Sequence, residues 1–300
     1  MRALVKRSFY HVQRRAARTR VRLSRADQSA SAKFAIFVLH SVSRADSDMA
    51  VSPARLREQL AALTHAGYRC VDFGDVLTAV STGKPFAHPS FALTFDDGYR
   101  NVFEQGLPIL EAFNATATLF VTVNLIEKKV APPWHSSDPT LLKEYRDHAY
   151  QFQPLDWQQL RELQRSNRVR IGSHSMNHPL MGRLSDSQLR GELRDSKRIL
   201  EDRLGAPVAW FAYPFGVKTY GAYSDGTETA LREIGYTASC TSEIGRARIG
   251  SSPFLLPRMS LVEHDTGADA CAKAAGAYDW VGVAQRSFQR FFSNPHEGQQ

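Results

Sequence analysis

A series of short, almost wholly apolar runs, each followed by polar residues, constrains the fold of this chain more than any other feature. The run at 34–39 (Phe-Ala-Ile-Phe-Val-Leu) ends at His40, and the run at 91–95 (Phe-Ala-Leu-Thr-Phe) ends at Asp96. Such runs lack polar alternation, so they predict strands buried on both faces, as is typical of parallel sheets. Because helical segments separate them, the sequence predicts an α/β fold with a parallel sheet that can close into a barrel.

Capping signals identify the helices between these runs. Ser185 with Gln188 three residues later forms a capping box, and Gly205 ends the helix that this box begins. Asp156 is expected to cap a further helix, which ends near Ser166. The remaining predicted helices lie at 53–66, 102–113 and 227–234, and the remaining predicted strands lie at 68–71, 117–122, 168–172, 208–212 and 236–240.

The positive charge of the chain is concentrated at its N-terminus. Of the 38 lysine and arginine residues, nine lie within positions 1–25, where there is no acidic residue. The other 29 basic residues nearly balance the 30 acidic ones, so the body of the chain is close to neutral. A nucleic-acid-binding domain needs basic residues on its folded surface, so no nucleic-acid partner is expected.

This charge distribution suggests a basic N-terminal arm at 1–30, followed by one domain at 31–292. Within the domain, the irregular, proline-containing stretch at 127–153 is expected to be a loop insertion over one face of the barrel. The polar tail at 293–300 is expected to be disordered.

The arm has the pattern of a basic amphipathic helix, with its apolar residues at helical spacing on one face. One hypothesis is peripheral contact with an anionic membrane surface, and the alternative is a solvated arm. Arginines continue through Arg25 where a signal peptide would have an apolar stretch, and no run of about 18 apolar residues predicts a membrane span. A cytoplasmic location is therefore expected, with any membrane contact at the inner face.

Polar clusters of interest come directly after three of the predicted strands. Asp96 and Asp97 follow the strand at 91–95, while His174 and His178 follow the strand at 168–172. A Tyr-Pro-Phe-Gly segment at 213–216 follows the strand at 208–212. Since parallel strands end at one edge of a sheet, these three segments are expected to meet at that edge.

The residue types predict a metal site with an adjacent base. Two histidines four residues apart can both face one ion, and one aspartate would complete a set of two histidines and one carboxylate. The second aspartate could then accept a proton from water. Alternatives remain open at this point, because Asp-Asp-Gly alone is also a common exposed turn, and histidines are often structural.

Three motifs in this order resemble those of the polysaccharide deacetylase family, the NodB-homology carbohydrate esterases. They are Thr-Phe-Asp-Asp-Gly at 94–98, Ser-His-Ser-Met-Asn-His at 173–178 and Phe-Ala-Tyr-Pro-Phe-Gly at 211–216. The resemblance extends from about Phe34 to Val262. It implies a distorted (β/α) barrel and a divalent metal, most often Zn²⁺.

The resemblance also implies roles for individual residues. By position, Asp97, His174 and His178 match the metal ligands, and Asp96 matches the catalytic base. Phe215 matches the residue whose backbone N–H helps to hold the oxyanion. The neighbouring segment, Tyr213 and Pro214, is expected to contact substrate.

Two departures from the family pattern affect the catalytic groups. Many members carry an arginine that orients the base where this chain has Ala212, and Arg258 is the candidate to supply that charge from elsewhere. The family's last motif is Leu-x-His, whereas this chain has an extra residue before His264. His264 is the candidate general acid, with a surface histidine as the alternative. His40, at the end of the first strand, is another possibility for the acid and is otherwise expected at the rim of the site as a substrate contact.

The expected activity is metal-dependent removal of N-acetyl groups from a glycan that contains N-acetylhexosamine, with release of acetate. An exopolysaccharide, a chitooligosaccharide and a lipid-linked precursor all fit this substrate class. The first alternative is hydrolysis of a small amide or ureide on the same fold, and the second is a non-catalytic glycan-binding module. The glycan's identity, the native metal and the oligomeric state do not follow from the sequence.

Overall fold

A single curled sheet forms the centre of the computed structural model, which describes residues 32–44, 49–128 and 149–283. Its strands and those of a small separate pair are short: β1 Lys33–Leu39, β2 Ser41–Val42, β3 Ala50–Val51, β4 Arg69–Cys70, β5 Ser90–Phe95, β6 Ala117–Val121, β7 Val169–Ser173, β8 Trp210–Ala212, β9 Ala238–Cys240, β10 Ala247–Arg248 and β11 Met259–Ser260.

The sheet is parallel except at one edge. Its order is β10-β1-β5-β6-β7-β8-β9, with β11 beside β1 and β4 beside β5, and only β10 runs antiparallel to its neighbour among the described pairs. The separate pair consists of β2 and β3. The parallel strands therefore end at a common edge, as the sequence predicts.

A short segment connects β9 with β1, the strands at the two ends of the parallel part of this order. Leu256 forms a parallel bridge with Cys240 of β9, and three residues later Met259 of β11 pairs with Phe37 of β1. The half-barrel is thus closed by a few residues of main chain, which makes the fold a distorted (β/α) barrel. Arg258 lies in this connecting segment.

Helices pack between the strands in the order of the chain. They are α1 Pro53–His65, α2 Phe73–Thr82, α3 Leu107–Ala112, α4 Trp157–Arg165, α5 Asp186–Leu204, α6 Asp225–Ile234 and α7 Gly267–Ala274. The predicted capping box at Ser185 begins α5, and Gly205 ends it in the left-handed conformation, with φ of 65°.

The central strands are buried on both faces because both sides of the sheet are covered. In β1, Ala35, Phe37 and Leu39 belong to the main core, whereas Phe34 and Ile36 belong to a second apolar cluster. This arrangement explains why the strand is apolar throughout.

Most predicted elements are confirmed, and several further elements were not predicted. The predicted helix at 102–113 is wrong in one respect, since a π-helical turn at Val102–Gly106 precedes α3. The elements missed are α2, α7 and the two-residue strands β2, β3, β10 and β11. Two residues carry too little periodicity to be identified as a strand.

The N-terminal arm and the tail lie outside the described residues. Of the expected insertion at 127–153, the structure describes its two ends, including a 3₁₀ turn at Ala149–Phe152. Among the described residues, no helix is long and apolar enough to cross a membrane.

Candidate metal and catalytic site

Three buried side chains converge where β5 and β7 end. The Asp97 Oδ1 atom lies 3.6 Å from His174 Nε2 and 3.5 Å from His178 Nε2. One potential ligand atom from each residue lies within 4.8 Å of the other two, and all three residues are at most 4% exposed. The structure therefore brings together the three predicted ligands, although they come from two separate segments of the chain.

Left-handed backbone conformations shape the loops that carry these side chains. Asp97, Ser175 and His178 have φ values of 72°, 71° and 59°, and Phe215 across the site has φ of 62°. Non-glycine residues adopt this region at a cost, and such residues cluster where a surrounding structure imposes them. Their concentration at one edge of the sheet marks this edge as a functional site.

A backbone carbonyl orients His174 for binding a metal. The Nδ1 atom lies 2.8 Å from the Ala212 carbonyl oxygen, and since a carbonyl only accepts, Nδ1 carries the proton. The Nε2 lone pair is then directed towards Asp97. Burial lowers the pKa of His174, and the nearby Asp96 offsets only part of this effect, so the imidazole is neutral.

The carboxylate of Asp97 fits a cation-binding role. Both of its oxygens are buried, and neither has a hydrogen-bond partner of normal geometry among the described residues. Burial, followed by repulsion from Asp96, raises the pKa of Asp97 to about 8, although the Tyr99 side chain offsets part of the rise. A buried carboxylate in this position needs a positive charge for its ionised form to be stable. The donor set of one carboxylate and two imidazoles suits a divalent cation such as zinc.

Asp96 has the opposite environment, because it is paired with Arg258. The two terminal guanidinium nitrogens each donate to a different Asp96 oxygen at 2.7 Å, and one also donates to Thr94 Oγ1 at 3.0 Å. Burial alone would raise the pKa of Asp96, but Arg258, followed by His174, holds it below its usual value. Asp96 is therefore ionised and able to accept a proton.

Arg258 thus pairs with Asp96, as expected if it supplies the charge of the family arginine from another segment. It is 1% exposed, and its Nε atom donates to the Thr241 carbonyl at 2.9 Å. Sequence analysis missed Thr94, which links Arg258 to the Phe37 carbonyl through its hydroxyl group. Its position as the one polar residue in the otherwise apolar run at 91–95 is the signal that could have identified it.

Phe215 contributes its ring and its backbone to the same edge. The ring packs against His178 with 4.7 Å between ring centroids. The next residue, Gly216, has φ of 61° and accepts a hydrogen bond from the Ser242 N–H at 2.7 Å; a Cβ atom there would lie 2.4 Å from Ser242. The loop is therefore held close to its neighbour, and Pro214 is buried within it.

The other predicted site residues differ in their placement. His40 is half-buried at the end of β1 and close enough to Asp96 to help lower the pKa of that carboxyl group. His264 is exposed on a turn after β11 and makes none of the described contacts with the metal-site residues. The prediction that Tyr213 contacts substrate is corrected: its side chain is fully buried, stacks on Tyr223, and donates from its hydroxyl to the Phe254 carbonyl.

Comparisons with known proteins identify the family. The family model described as polysaccharide deacetylase matches residues 83–239. The protein YxkH of Bacillus subtilis (strain 168), which bears the name of a polysaccharide deacetylase, is 24% identical over 247 residues, covering 82% of this chain and 76% of that protein. The poly-beta-1,6-N-acetyl-D-glucosamine N-deacetylase of Escherichia coli (strain K12) is 33% identical over 129 residues, which are 43% of this chain and 18% of that protein.

Solved structures show the same fold. The Streptococcus pyogenes deacetylase PplD in complex with acetate superposes with a TM-score of 0.66 at 22% identity, covering 81% of this chain and 98% of that one. IcaB from Ammonifex degensii has a TM-score of 0.65, also at 22% identity, over 81% of this chain and 97% of that one.

Proposed function

The chain belongs to the polysaccharide deacetylase family, and on that premise we propose that it removes N-acetyl groups from a glycan that contains N-acetylhexosamine, releasing acetate. The observation that carries the proposal is the juxtaposition of two unlike aspartates. Asp97 faces two histidines in a cation-binding group, while its neighbour Asp96 is kept ionised by Arg258. Hydrolysis of an amide needs both an electrophilic centre and a base.

We propose Zn²⁺ as the metal, held by Asp97, His174 and His178. A bound divalent cation supplies Lewis acidity, which polarises the acetyl carbonyl and makes water more acidic. Three protein ligands leave further coordination positions for water and substrate, which is the arrangement of catalytic rather than structural zinc sites.

Asp96 is the proposed general base. Its carboxylate lies 4.0 Å from His174 Nε2, which places it beside the metal-binding group, where water would attack the carbonyl carbon. Because both of its oxygens accept hydrogen bonds from Arg258, the carboxylate is fixed in orientation as well as in charge. It takes the proton from water as the new carbon–oxygen bond forms.

The backbone of Phe215 and the imidazole of His40 are proposed to complete the reaction. The Phe215 N–H would stabilise the negative charge on the acetyl oxygen, and its loop is held rigidly by Ser242. The amine must gain a proton to leave, and His40 is favoured over His264 as the donor because it follows Leu39, whose carbonyl accepts a hydrogen bond from the Asp96 N–H, whereas His264 is exposed.

The substrate is proposed from the relatives. The Escherichia coli relative is named for its action on poly-beta-1,6-N-acetyl-D-glucosamine, and its matched segment includes less than half of this chain. A polymer or oligomer of N-acetylglucosamine is therefore the first substrate to test. A small amide or ureide substrate remains the chemically different alternative, while a glycan-binding module would have no need for the Asp96–Arg258 pair.

Acetate release from N-acetylglucosamine oligomers tests the proposal. Purified protein would be assayed after metal removal, after addition of zinc, and as the Asp96→Asn variant. We expect release that requires zinc and falls by about 10²–10⁴ in Asp96→Asn, the usual contribution of a general base. Zinc binding without acetate release from any oligomer would refute N-deacetylation of this substrate class and favour a different amide.

A further inference from the structure

The turn that connects the two histidines is anchored by a glutamate from α5, the next α-helix along the chain. Glu192, on α5, accepts hydrogen bonds through Oε2 from the backbone N–H groups of Met176 at 2.9 Å and Asn177 at 3.0 Å. Its other oxygen accepts a bond from the Asn177 side-chain amide at 2.6 Å. One carboxylate thus binds two consecutive backbone donors between His174 and His178.

The remaining polar groups of this turn are also bound, but from other directions. The Ser175 hydroxyl accepts a bond from the His178 N–H at 2.9 Å. On the opposite side, the N–H groups of Val123 and Asn124 donate to the carbonyls of Ser175 and Met176 at 3.1 and 3.0 Å. The chain at 123–124 therefore holds the carbonyls of the turn, and Glu192 holds two of its N–H groups.

These hydrogen bonds are needed to hold the turn because its backbone is strained. Ser175 and His178 both have left-handed φ values, a conformation that costs free energy in a non-glycine residue and persists only where surrounding contacts impose it. If the two N–H groups lost Glu192, water could satisfy them in other conformations of the turn. The His178 side chain would then no longer be held 3.5 Å from Asp97.

We propose that Glu192 is a positioning residue for the metal centre: it holds the 175–178 turn in the conformation that directs His178 at the cation shared with Asp97 and His174. The inference rests on the proposed function only for the presence of a metal at this site. It assigns Glu192 no contact with substrate or with the cation. Partners that orient metal ligands in this way typically contribute about 10–100-fold to metal affinity.

Zinc titration of the full chain tests this role, with affinity as the readout rather than activity. Glu192→Ala removes all three bonds and is expected to weaken zinc binding by about 10–100-fold. Glu192→Gln keeps a carbonyl oxygen that can accept both backbone bonds but replaces the acceptor of the Asn177 side-chain bond with an amide donor. Zinc binding should therefore weaken less than in Glu192→Ala, by less than about tenfold. The matched control is Asp202→Asn, which removes a negative charge from the same helix where the carboxylate pairs only with Arg198 among the described ion pairs.

The thermal unfolding of each metal-free variant would be measured in parallel. Equal zinc affinities in Glu192→Ala and Asp202→Asn would overturn the inference, even if Glu192→Ala lowered the unfolding temperature, because that pattern is a purely structural role. If Glu192→Ala does not fold, Glu192→Gln and Asn177→Ala serve instead. Asn177→Ala removes one of the three bonds to Glu192, together with the bond that the Asn124 side-chain amide donates to Asn177, and should weaken zinc binding by less than about tenfold. Loss of affinity in Glu192→Gln equal to that of a His178→Ala variant would also contradict the proposed role of the backbone bonds.

Failure of this inference and failure of the proposed function are distinguishable. Zinc binding that depends on Glu192 in a chain that releases no acetate would support the positioning role and refute the deacetylase. Acetate release by a chain whose zinc affinity does not depend on Glu192 would support the deacetylase and refute the positioning role. A chain that binds no zinc would overturn both.

Discussion

Arg258 and Asp96 form a buried, bidentate ion pair, with both nitrogen–oxygen distances at 2.7 Å, although 162 positions separate them in the sequence. The resemblance implies an arginine where this chain has Ala212, and the guanidinium that pairs with Asp96 comes from another segment. It lies in the short connection that closes the half-barrel between β9 and β1. The proposed catalytic base and the closure of the barrel are therefore linked through one side chain.

Removing this guanidinium should move the pH dependence of catalysis. In Arg258→Ala, burial would no longer be offset and the pKa of Asp96 should rise, so the acidic limb of kcat/KM shifts to higher pH. The free energy of unfolding should also fall by about 3–5 kcal/mol, since an unpaired carboxylate is left buried. The control is Arg170→Ala, which removes an exposed arginine paired with Asp72. An unchanged acidic limb would show that Arg258 does not control the ionisation of Asp96.

Substitutions at the two aspartates should affect metal binding and proton transfer separately. Asp97→Asn should lose zinc, because it removes the carboxylate that faces both imidazoles. Asp96→Asn should keep zinc and lose turnover by about 10²–10⁴. Zinc content by atomic absorption and acetate release would be measured on the same samples. Loss of zinc from both variants would mean that Asp96 is also a ligand.

Without metal, Asp97 should destabilise the folded protein as the pH rises. Its folded pKa of about 8 lies above its ordinary value of 3.8, so between these values the folded state holds a proton that the unfolded chain lacks. The free energy of unfolding should therefore fall as the pH rises from about 4 to about 8, by up to about 1.4 kcal/mol per unit for this group. Asp97→Asn should remove this slope and be the more stable protein in chelator at pH 8.

Urea unfolding at pH 6 and pH 8 would measure this effect, with Asp202→Asn as the exposed control. Added zinc should reverse the ranking, because it stabilises the unsubstituted chain and not Asp97→Asn. A metal-free Asp97→Asn variant less stable than the unsubstituted protein at pH 8 would refute the explanation.

Tyr213 should matter for stability and not for substrate. Tyr213→Phe removes the hydroxyl that donates to the Phe254 carbonyl and leaves the stacking on Tyr223 intact. We expect KM and kcat to change less than twofold and the free energy of unfolding to fall by about 1 kcal/mol. A large rise in KM would restore Tyr213 as a substrate contact.

His40 and His264 should differ sharply as candidates for the general acid. His40→Gln is expected to lower kcat by about 10²-fold or more, because its imidazole lies at the rim beside Asp96. His264→Gln should change kcat by less than about threefold, since the residue is exposed and away from the described contacts of the site. Kinetics over a pH range would compare both variants, and loss of the basic limb only in His264→Gln would reverse the assignment.

The central strands and the metal-binding group could be predicted from the sequence because their signals are local. A wholly apolar run such as Phe34–Leu39 is compatible with a strand covered on both sides, and motif residues at the ends of parallel strands must meet at one edge. Asp97, His174 and His178 were predicted to meet for that reason. The helix that begins at Ser185 followed from its capping box in the same way.

The remaining features depend on contacts between separate segments of the chain, for which the sequence has no periodic signal. Arg258 could be proposed as a replacement charge, but its bidentate geometry on Asp96 exists only because Leu256–Ser260 joins both ends of the sheet. Glu192 has the sequence context of any polar helix residue, and it becomes an anchor only through the packing of α5 beside the 175–178 turn. Tyr213 lies in a motif that predicts a site residue, yet its side chain points into the core. Short-range patterns determine which residues form strands and helices, whereas the direction and partner of a side chain depend on the packing of the whole chain.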